Sequence, residues 1–242
     1  MDGRWQEFSV PSRLFAGSLR GMQLRGPSEE LSGRRVKLRP LAPRDFEQWS
    51  EVRKRCYDWL AKWEPCPPVD QVHVTDDRRI FAARCGMRQR ERQLGTAYGF
   101  GIFVDDYVAG EINLLSVQRG PIQTATVGYW IDKERAGIGY TPEAVVVLFK
   151  FAFEELSLHR LEISIIPRNF ASRRVVEKLG IREEGLSLRY LEINSVWEDH
   201  LRYAITSEEW ATRRDELVST WLDPLPSAAE EKFPTQRSGL VS

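Results

Sequence analysis

The sequence predicts an α+β protein with a central mixed, mostly antiparallel, twisted sheet flanked by helices. Three observations support this fold class. The chain has 242 residues, 42% of them hydrophobic and 29% charged, as expected for one globular domain with extensions. Consecutive β-prone runs between residues 98 and 131 predict an antiparallel meander. A strand, a buried helix and another strand then follow between residues 124 and 166.

Glycines and prolines near both ends predict the limits of the domain. Residues 1–34 are rich in glycine and show no sustained hydrophobic period, so we expect an N-terminal extension that is flexible. Residues 35–212 form the predicted domain. Residues 213–242 contain several prolines, and we expect a flexible C-terminal tail.

The first part of the domain is predicted as one strand and two helices. Residues 36–41 alternate apolar and basic side chains, which is typical of a strand. Residues 45–60 form a helix candidate that ends near Trp59 and Trp63. Residues 76–94 form a second helix with many arginines on one face. A solvated face is the simpler interpretation of those arginines, and a binding surface is the alternative.

The remaining elements follow from hydrophobic period and turn residues. Residues 98–104 and 108–117 are strands that Asp105-Asp106 joins as a hairpin. The helix predicted over 141–156 is apolar almost all round and should therefore be buried. The other predicted elements are a strand at 124–131, a strand at 161–166, a helix at 169–179, and two strands within 181–206 that turn at Asn194-Ser195.

Composition excludes several classes of function. Lysine plus arginine (35) equals aspartate plus glutamate (35), so direct binding to nucleic acid through a global basic excess is not expected. The longest apolar run, 144–149, is far shorter than the ~20 residues of a membrane span. The N-terminus lacks the apolar core of a secretory signal, which predicts a cytoplasmic protein. Cys56, Cys66 and Cys85 include no CxxC pair, and the histidines are widely spaced, so we expect free thiols and no metal.

Residues 129–144 combine a strand, a glycine-bearing turn and a helix, which is a geometry that favours anions. Gly137 and Gly139 allow backbone N–H groups to approach a ligand closely. The helix that follows presents unpaired amides and the positive end of its dipole, with Pro142 in its first turn. A pyrophosphate would fit this turn, and an ordinary tight turn is the alternative. Neither a Walker P-loop nor a dinucleotide fingerprint is present.

A second segment, PRNFASRRVVEKLGI at 167–181, lies downstream of this turn, and together the two segments resemble the GNAT acetyltransferases. The resemblance extends over roughly residues 36–210. It implies the GNAT fold, in which the central strand-helix-strand unit binds acetyl-CoA. The implied cofactor-binding residues are Tyr129, Trp130 and Ile131 along the strand edge, Gly137, Ile138, Gly139, Tyr140, Thr141 and Pro142 in the phosphate turn, and Asn169 and Ser172 near the sulfur.

Three positions depart from the family pattern. Ala136 and Thr141 replace the residues that usually open and close the turn. Val176 stands where many members carry a catalytic tyrosine, so the usual general acid is missing. By analogy with the ribosomal branch of the family, Ser172 is the nearest candidate proton donor. The alternative is that Ser172 only belongs to the helix cap.

Further segments resemble the RimJ type of ribosomal-protein-alanine N-acetyltransferase. They are Gln118-Arg119-Gly120, His159-Arg160, and residues 189–200. This resemblance implies transfer of acetyl from acetyl-CoA to the α-amino group of a protein N-terminus, with a ribosomal protein as partner and with the enzyme a monomer or homodimer. Two alternatives stay open: acetylation of a small amine such as an antibiotic or polyamine, and a non-catalytic acyl-CoA-binding or ribosome-associated module.

The acceptor chemistry requires only a weak base. An α-amino group has a pKa of ~7.7–8.0 against ~10.4 for lysine, so it loses its proton readily near neutral pH. Glu111, which shares a strand face with Asn113, is the candidate base, and an exposed structural carboxylate is the alternative. Backbone N–H groups near Trp130 and Ile131 would hold the thioester carbonyl oxygen. Trp63, Tyr190 and Trp197 are candidate substrate-binding residues, with core packing as the alternative.

Overall fold

A computed structural model describes residues 27–65 and 75–224. Cys66 and most of both predicted extensions lie outside these ranges. The strands are β1 (Leu31–Ser32), β2 (Lys37–Arg39), β3 (Tyr98–Val104), β4 (Tyr107–Gln118), β5 (Thr124–Ile131), β6 (Arg160–Ile165), β7 (Arg182–Ile193) and β8 (Val196–Thr206). The α-helices are α1 (Phe46–Arg55), α2 (Tyr57–Leu60), α3 (Arg78–Leu94), α4 (Tyr140–Lys150), α5 (Phe170–Lys178) and α6 (Ser207–Trp221).

The described strands form a single sheet in the order β1-β2-β3-β4-β5-β6-β8-β7. Every neighbouring pair is antiparallel except β5 and β6, which are parallel. The crossover between these two parallel strands contains α4, as a parallel connection requires. The predicted α+β fold, a mixed and mostly antiparallel sheet flanked by helices, is therefore confirmed.

Helices cover both faces of the sheet. On one face, α4 and α6 pack in the main core, where Phe149 of α4 packs edge-on against Trp210 of α6. Because successive side chains of a strand point to opposite faces of a sheet, every second strand residue faces the other side. There, α1 and α3 enclose a second cluster that includes Trp49, Phe81 and Phe103. Nine consecutive residues of α4, 141–149, are buried, which confirms the prediction from its apolar sequence.

The two parallel strands separate soon after they pair. β5 and β6 are in register only from Thr124 to Thr126, opposite Arg160 to Glu162. On its other side, β5 stays paired with β4 as far as Ile131. From Val127 to Ile131, one edge of β5 therefore has no strand partner in the described part of the chain. We call residues 127–131 the open edge of β5.

Both predicted hairpin turns are present. Asp105 and Asp106 have φ of 51° and 62°, and Asn194 and Ser195 have φ of 53° and 62°. Two consecutive residues with positive φ are the signature of the two-residue turn that matches strand twist. Aspartate and asparagine tolerate this conformation better than most side chains, which explains why no glycine is needed.

Other predictions need correction. The helix predicted over 45–60 divides at Cys56 into α1 and α2. The helix predicted over 141–156 begins at Tyr140 and ends as a π-helical segment, Phe151–Glu155. The arginine face of α3 is not simply solvated. Arg92 is buried over the rings of Tyr98 and Phe100, and Arg84 turns inward to a carboxylate of β4.

Two elements cross the predicted domain limits. β1 pairs with β2 although it lies before residue 35. α6 passes residue 212 and buries Trp210 and Leu217 against the main core. The signal for α6 was present in the sequence, because Thr206 and Glu209 form a capping box at its start. Residues 213–221 are therefore helical rather than a flexible tail, and only the outer parts of both predicted extensions stay untested.

Candidate active site

A cavity of about 470 Å³ lies between α2, the open edge of β5, the glycine turn and the start of α5. It brings together most of the predicted site residues from segments that are far apart in sequence. The predicted residues that line it are Trp63, Tyr129, Trp130, Ile131, Gly137, Gly139, Tyr140, Thr141, Pro142, Asn169 and Ser172. Of the predicted phosphate turn, Ile138 alone is outside the lining, and its side chain is half exposed.

The glycine turn has the backbone geometry of an anion site. Gly137 and Gly139 have φ of 80° and 99°, which side chains rarely allow. Gly139 is the N-cap of α4, so the N–H groups of Tyr140 and Thr141 have no partner within the helix. Pro142, the third residue of the helix, has no N–H group and therefore leaves no additional donor unpaired in the first turn. These amides and the helix dipole favour a phosphate at the cavity wall.

A buried carboxylate and a partly exposed arginine hold this turn in place. Glu143 in the first turn of α4 has no exposed surface, and its carboxylate accepts hydrogen bonds from the backbone N–H groups of Arg35 (2.5 Å) and Val36 (3.0 Å). The Arg35 Nε donates to the same carboxylate at 2.8 Å. Arg35 also donates to the carbonyl oxygen of Ile138 at 3.2 Å. Arg35 thus balances a negative charge that would otherwise oppose phosphate binding, and sequence reasoning missed this role.

Three cations add to the positive potential of the cavity. Arg135, Arg174 and Lys178 line it, and none of them makes an ion pair with a described residue. Unpaired cations at a helix N-terminus suit a pyrophosphate. Sequence reasoning did not select them. The spacing of Arg174 and Lys178, four residues apart on α5, could have shown that they share a helix face.

The start of α5 separates two roles that the sequence left open. Asn169 is the N-cap, and its Oδ1 accepts a hydrogen bond from the N–H of Ser172 at 3.1 Å. The Ser172 hydroxyl is therefore not the cap. It lies instead 3.0 Å from the Tyr129 hydroxyl of β5. Burial raises the pKa of Tyr129 to about 12, so this phenol is neutral at physiological pH. Val176 is fully buried and offers no donor.

One end of the cavity is aromatic. Trp59 and Trp63 line it beside the predicted cofactor-binding residues. The Arg168 guanidinium lies 5.7 Å from the ring centre of Trp63, and two hydrogen bonds of 2.6 Å join it to Glu198. These contacts fix the tryptophan against β8.

Two predicted substrate residues lie elsewhere. Tyr190 packs edge-on against His200 at 5.6 Å, and Trp197 is 59% exposed near the tip of the β7–β8 hairpin. Neither residue lines the cavity in the described structure. The cavity therefore gives their predicted contact with substrate no support, and that contact stays a prediction.

Glu111 lies in a different environment from the one predicted. It lines a separate cavity of about 550 Å³, which shares no lining residue with the first. Its carboxylate is 3% exposed and accepts hydrogen bonds from Trp49 Nε1 (2.7 Å) and Arg84 (2.6 Å). Burial acts to raise the pKa of Glu111, but the charge and hydrogen bonds of Arg84 and Trp49 hold it below the usual range. Glu111 is therefore not an exposed carboxylate, and a low pKa makes it a weak base.

Residues 27–65 and 75–224 contain neither a membrane-spanning helix nor a cluster of metal ligands. No helix in these ranges is long and apolar enough to cross a membrane. No group of three histidine, cysteine, aspartate or glutamate side chains in the same ranges is arranged to hold a metal ion.

Comparison with known proteins identifies the family of this fold and cavity. The family model for the acetyltransferase (GNAT) domain matches residues 35–182. The "Probable N-acetyltransferase YjcK" of Bacillus subtilis (strain 168) is 35% identical over 74% of this chain and 98% of its own length. The "[Ribosomal protein uS5]-alanine N-acetyltransferase" of Escherichia coli (strain K12) is 28% identical over 78% of this chain and 96% of its own length.

A solved structure supports the same relationship. Mycobacterium smegmatis RimJ, solved in complex with CoA-disulfide, aligns with a TM-score of 0.73 and 31% identity, covering 79% of this chain and 93% of that chain. The matched region contains the glycine turn, the open edge of β5 and α5. The chain belongs to the GNAT acetyltransferase family, in its RimJ-type branch, and is an acetyl-CoA-dependent N-acetyltransferase.

Proposed function

We propose that this enzyme transfers acetyl from acetyl-CoA to the N-terminal α-amino group of a protein in the cytoplasm, with a ribosomal protein as the acceptor class. The observation that carries the proposal is the convergence of the phosphate turn, the open edge of β5 and the Ser172 hydroxyl in one cavity. The similarity to an enzyme named for alanine acetylation of ribosomal protein uS5 supports the choice of acceptor.

Each group in the cavity has a role in this reaction. The amides of Tyr140 and Thr141 take the pyrophosphate, together with the cations that line the cavity. The open edge of β5 offers backbone groups to the pantetheine arm, and N–H groups near Trp130 and Ile131 polarise the thioester carbonyl. Ser172 gives a proton to the departing thiolate. Because an α-amino group has a pKa of ~7.7–8.0, water suffices as the base.

The charge of the lining favours a protein N-terminus over a small polycation. Among described residues, Glu64 is the only acidic side chain in the lining, and Arg53 holds it through hydrogen bonds of 2.7 Å and 2.6 Å. A polyamine or an aminoglycoside carries several positive charges and needs several free carboxylates. A terminal amine beside small apolar residues fits the tryptophan end of the cavity better.

A thiol-release assay tests this function. The panel contains peptides that differ only in their first residue, and one of these is also tested with its N-terminus blocked. It further contains two small amines, a polyamine and an aminoglycoside. We expect release of CoA with at least one small first residue, and none when the same peptide is blocked. Turnover with the small amines alone would support the alternative function, acetylation of an antibiotic or polyamine. Binding of acetyl-CoA without turnover on any acceptor would indicate a non-catalytic module.

The same assay measures the contribution of Ser172. We expect Ser172→Ala to lower kcat about 100-fold, the lower end for loss of a general acid, since a thiolate is a good leaving group. The KM for acetyl-CoA should change little. Ser219→Ala, an exposed serine on α6, is the matched control. Full kcat in Ser172→Ala would contradict the proton-donor role and leave the family assignment intact.

A further inference from the structure

The hydroxyl group of Tyr129 has no role in the reaction described so far, although Tyr129 lines the same cavity. β5 carries Tyr129 and α5 carries Ser172, 43 residues later. Their hydroxyl oxygens are 3.0 Å apart, and the Tyr129 oxygen is 3.4 Å from the Ser172 carbonyl oxygen. Because the two side chains come from separate elements, the contact depends on the tertiary fold.

A serine hydroxyl has one hydrogen, and its direction decides what Ser172 can do. When Tyr129 donates to Oγ, the Ser172 hydrogen stays available for a partner in the cavity. The N–H of Ser172 is already fixed by Asn169, so the residue is held at both its backbone and its side chain. Tyr129 keeps its own hydrogen across the working pH range, because burial raises its pKa to about 12.

We propose that Tyr129 is a positioning residue that donates to Ser172 Oγ and directs the serine hydrogen toward the thioester sulfur. This inference rests on the proton-donor role proposed for Ser172. It also explains how the site works with Val176 in place of a tyrosine on α5. Here a tyrosine from the neighbouring strand contributes through the serine rather than touching the sulfur itself.

The acceptor nitrogen forms a bond to the acetyl carbon and releases one proton to water. The C–S bond breaks and its electron pair stays on sulfur. Ser172 gives its hydroxyl proton to the sulfur and recovers one from water, while Tyr129 remains neutral throughout. The net result is transfer of one proton from nitrogen to sulfur.

A double-mutant cycle tests whether Tyr129 acts through Ser172. We expect Tyr129→Phe to lower kcat about 3- to 10-fold, the usual effect of one neutral hydrogen bond, with little change in the KM for acetyl-CoA. In a Ser172→Ala background the same change should have almost no further effect. Tyr107→Phe, on an exposed tyrosine of β4, is the matched control. Multiplicative effects of the two changes, or a raised KM with unchanged kcat, would overturn the proposal.

A second measurement needs no acceptor. The thiol of bound CoA can be titrated by its thiolate absorbance, with the free protein as the blank. A hydroxyl that points to the sulfur stabilises the thiolate, so we expect a higher pKa of the bound thiol in Tyr129→Phe and in Ser172→Ala than in the parent. Equal values in parent and Tyr129→Phe would contradict the proposal. If no peptide is acetylated, the proposed function fails, and this titration still decides the role of Tyr129.

Discussion

Glu111 and Glu143 are two buried glutamates that lie in different parts of the fold. Each is buried and each is matched by an arginine, Arg84 in one case and Arg35 in the other. Removing one partner of a buried pair leaves an uncompensated charge, which costs more than the pair itself contributes. In each site an arginine therefore neutralises the buried carboxylate. For Glu143 the result is a stable glycine turn, and for Glu111 it is a link between β4 and α3.

We expect Glu111→Gln to act mainly on stability. The amide keeps an acceptor for Trp49 but leaves the inward-facing Arg84 without its carboxylate, so the free energy of unfolding should fall by about 3 kcal/mol. Urea unfolding measures this change. Glu51→Gln, at an exposed glutamate 3.7 Å from Arg55, is the control and should change it by less than about 0.5 kcal/mol. Unchanged stability with a 100-fold lower kcat would instead identify Glu111 as the general base.

At the scale of elements, local patterns and long-range contacts differ in how far they can be predicted. β5 was predicted with its observed limits, because β-prone residues fill it. The helix predicted over 169–179 corresponds to α5, which begins at Phe170 with Asn169 as its N-cap. The link between Arg35 and Glu143 spans 108 residues, and no period or motif encodes it. The Tyr129–Ser172 contact escaped prediction for the same reason, since only the packing of α5 on the sheet brings the hydroxyls together.

Two glycine-to-alanine substitutions should change the stability of the fold in opposite directions. Gly139 has a φ of 99°, and an added Cβ would lie 3.2 Å from Arg35 Nη2. We therefore expect Gly139→Ala to destabilise the turn by about 1–2 kcal/mol and to weaken CoA binding about tenfold. Gly86 lies in α3 with nothing near its Cβ position, so Gly86→Ala should stabilise the fold by about 0.5–1 kcal/mol.

Calorimetric titration with CoA and urea unfolding of both glycine variants check this pair. Gly86→Ala should bind CoA like the parent. Equal CoA affinity in Gly139→Ala and the parent would show that the backbone conformation of the turn does not determine phosphate binding.

At the scale of the whole molecule, charged side chains join the last part of the sheet. Glu184 of β7 binds Arg160 of β6 and lies 2.5 Å from Arg182. Arg182 also reaches Glu209 at the start of α6, at 3.0 Å. Hydrogen bonds from Arg160 and Arg182 lower the pKa of Glu184 to about 2. This network connects three elements around β8, the strand to which they are attached.

The low pKa of Glu184 predicts a specific acid response. A carboxylate with a lower pKa in the folded state stabilises the fold above its unfolded value of ~4.3, and that contribution is lost as pH falls toward about 2. We expect Glu184→Gln to lower the free energy of unfolding at pH 7 by up to about 1 kcal/mol, since the group is partly solvated. The difference from the parent should shrink between pH 4.5 and pH 2.

Urea midpoints across this pH range measure the effect. Glu216→Gln, at an exposed glutamate 3.4 Å from Arg213, should follow the parent at every pH. If the urea midpoints of Glu184→Gln and the parent differ by the same amount at every pH, the ionisation of Glu184 does not contribute to the stability of the fold.

The short pairing between β5 and β6 has a consequence for the apo enzyme. Strands β1 to β5 and strands β6 to β8 form two halves of the sheet, and backbone pairing joins them at only three positions. A pantetheine chain along residues 127–131 would add hydrogen bonds where the pairing of β5 with β6 stops, so the cofactor would serve as a missing strand as well as a reactant. When the cofactor leaves after each turnover, the contact between the two halves of the sheet would again be weaker. The backbone amides along the open edge of β5 would then be the first to exchange with solvent.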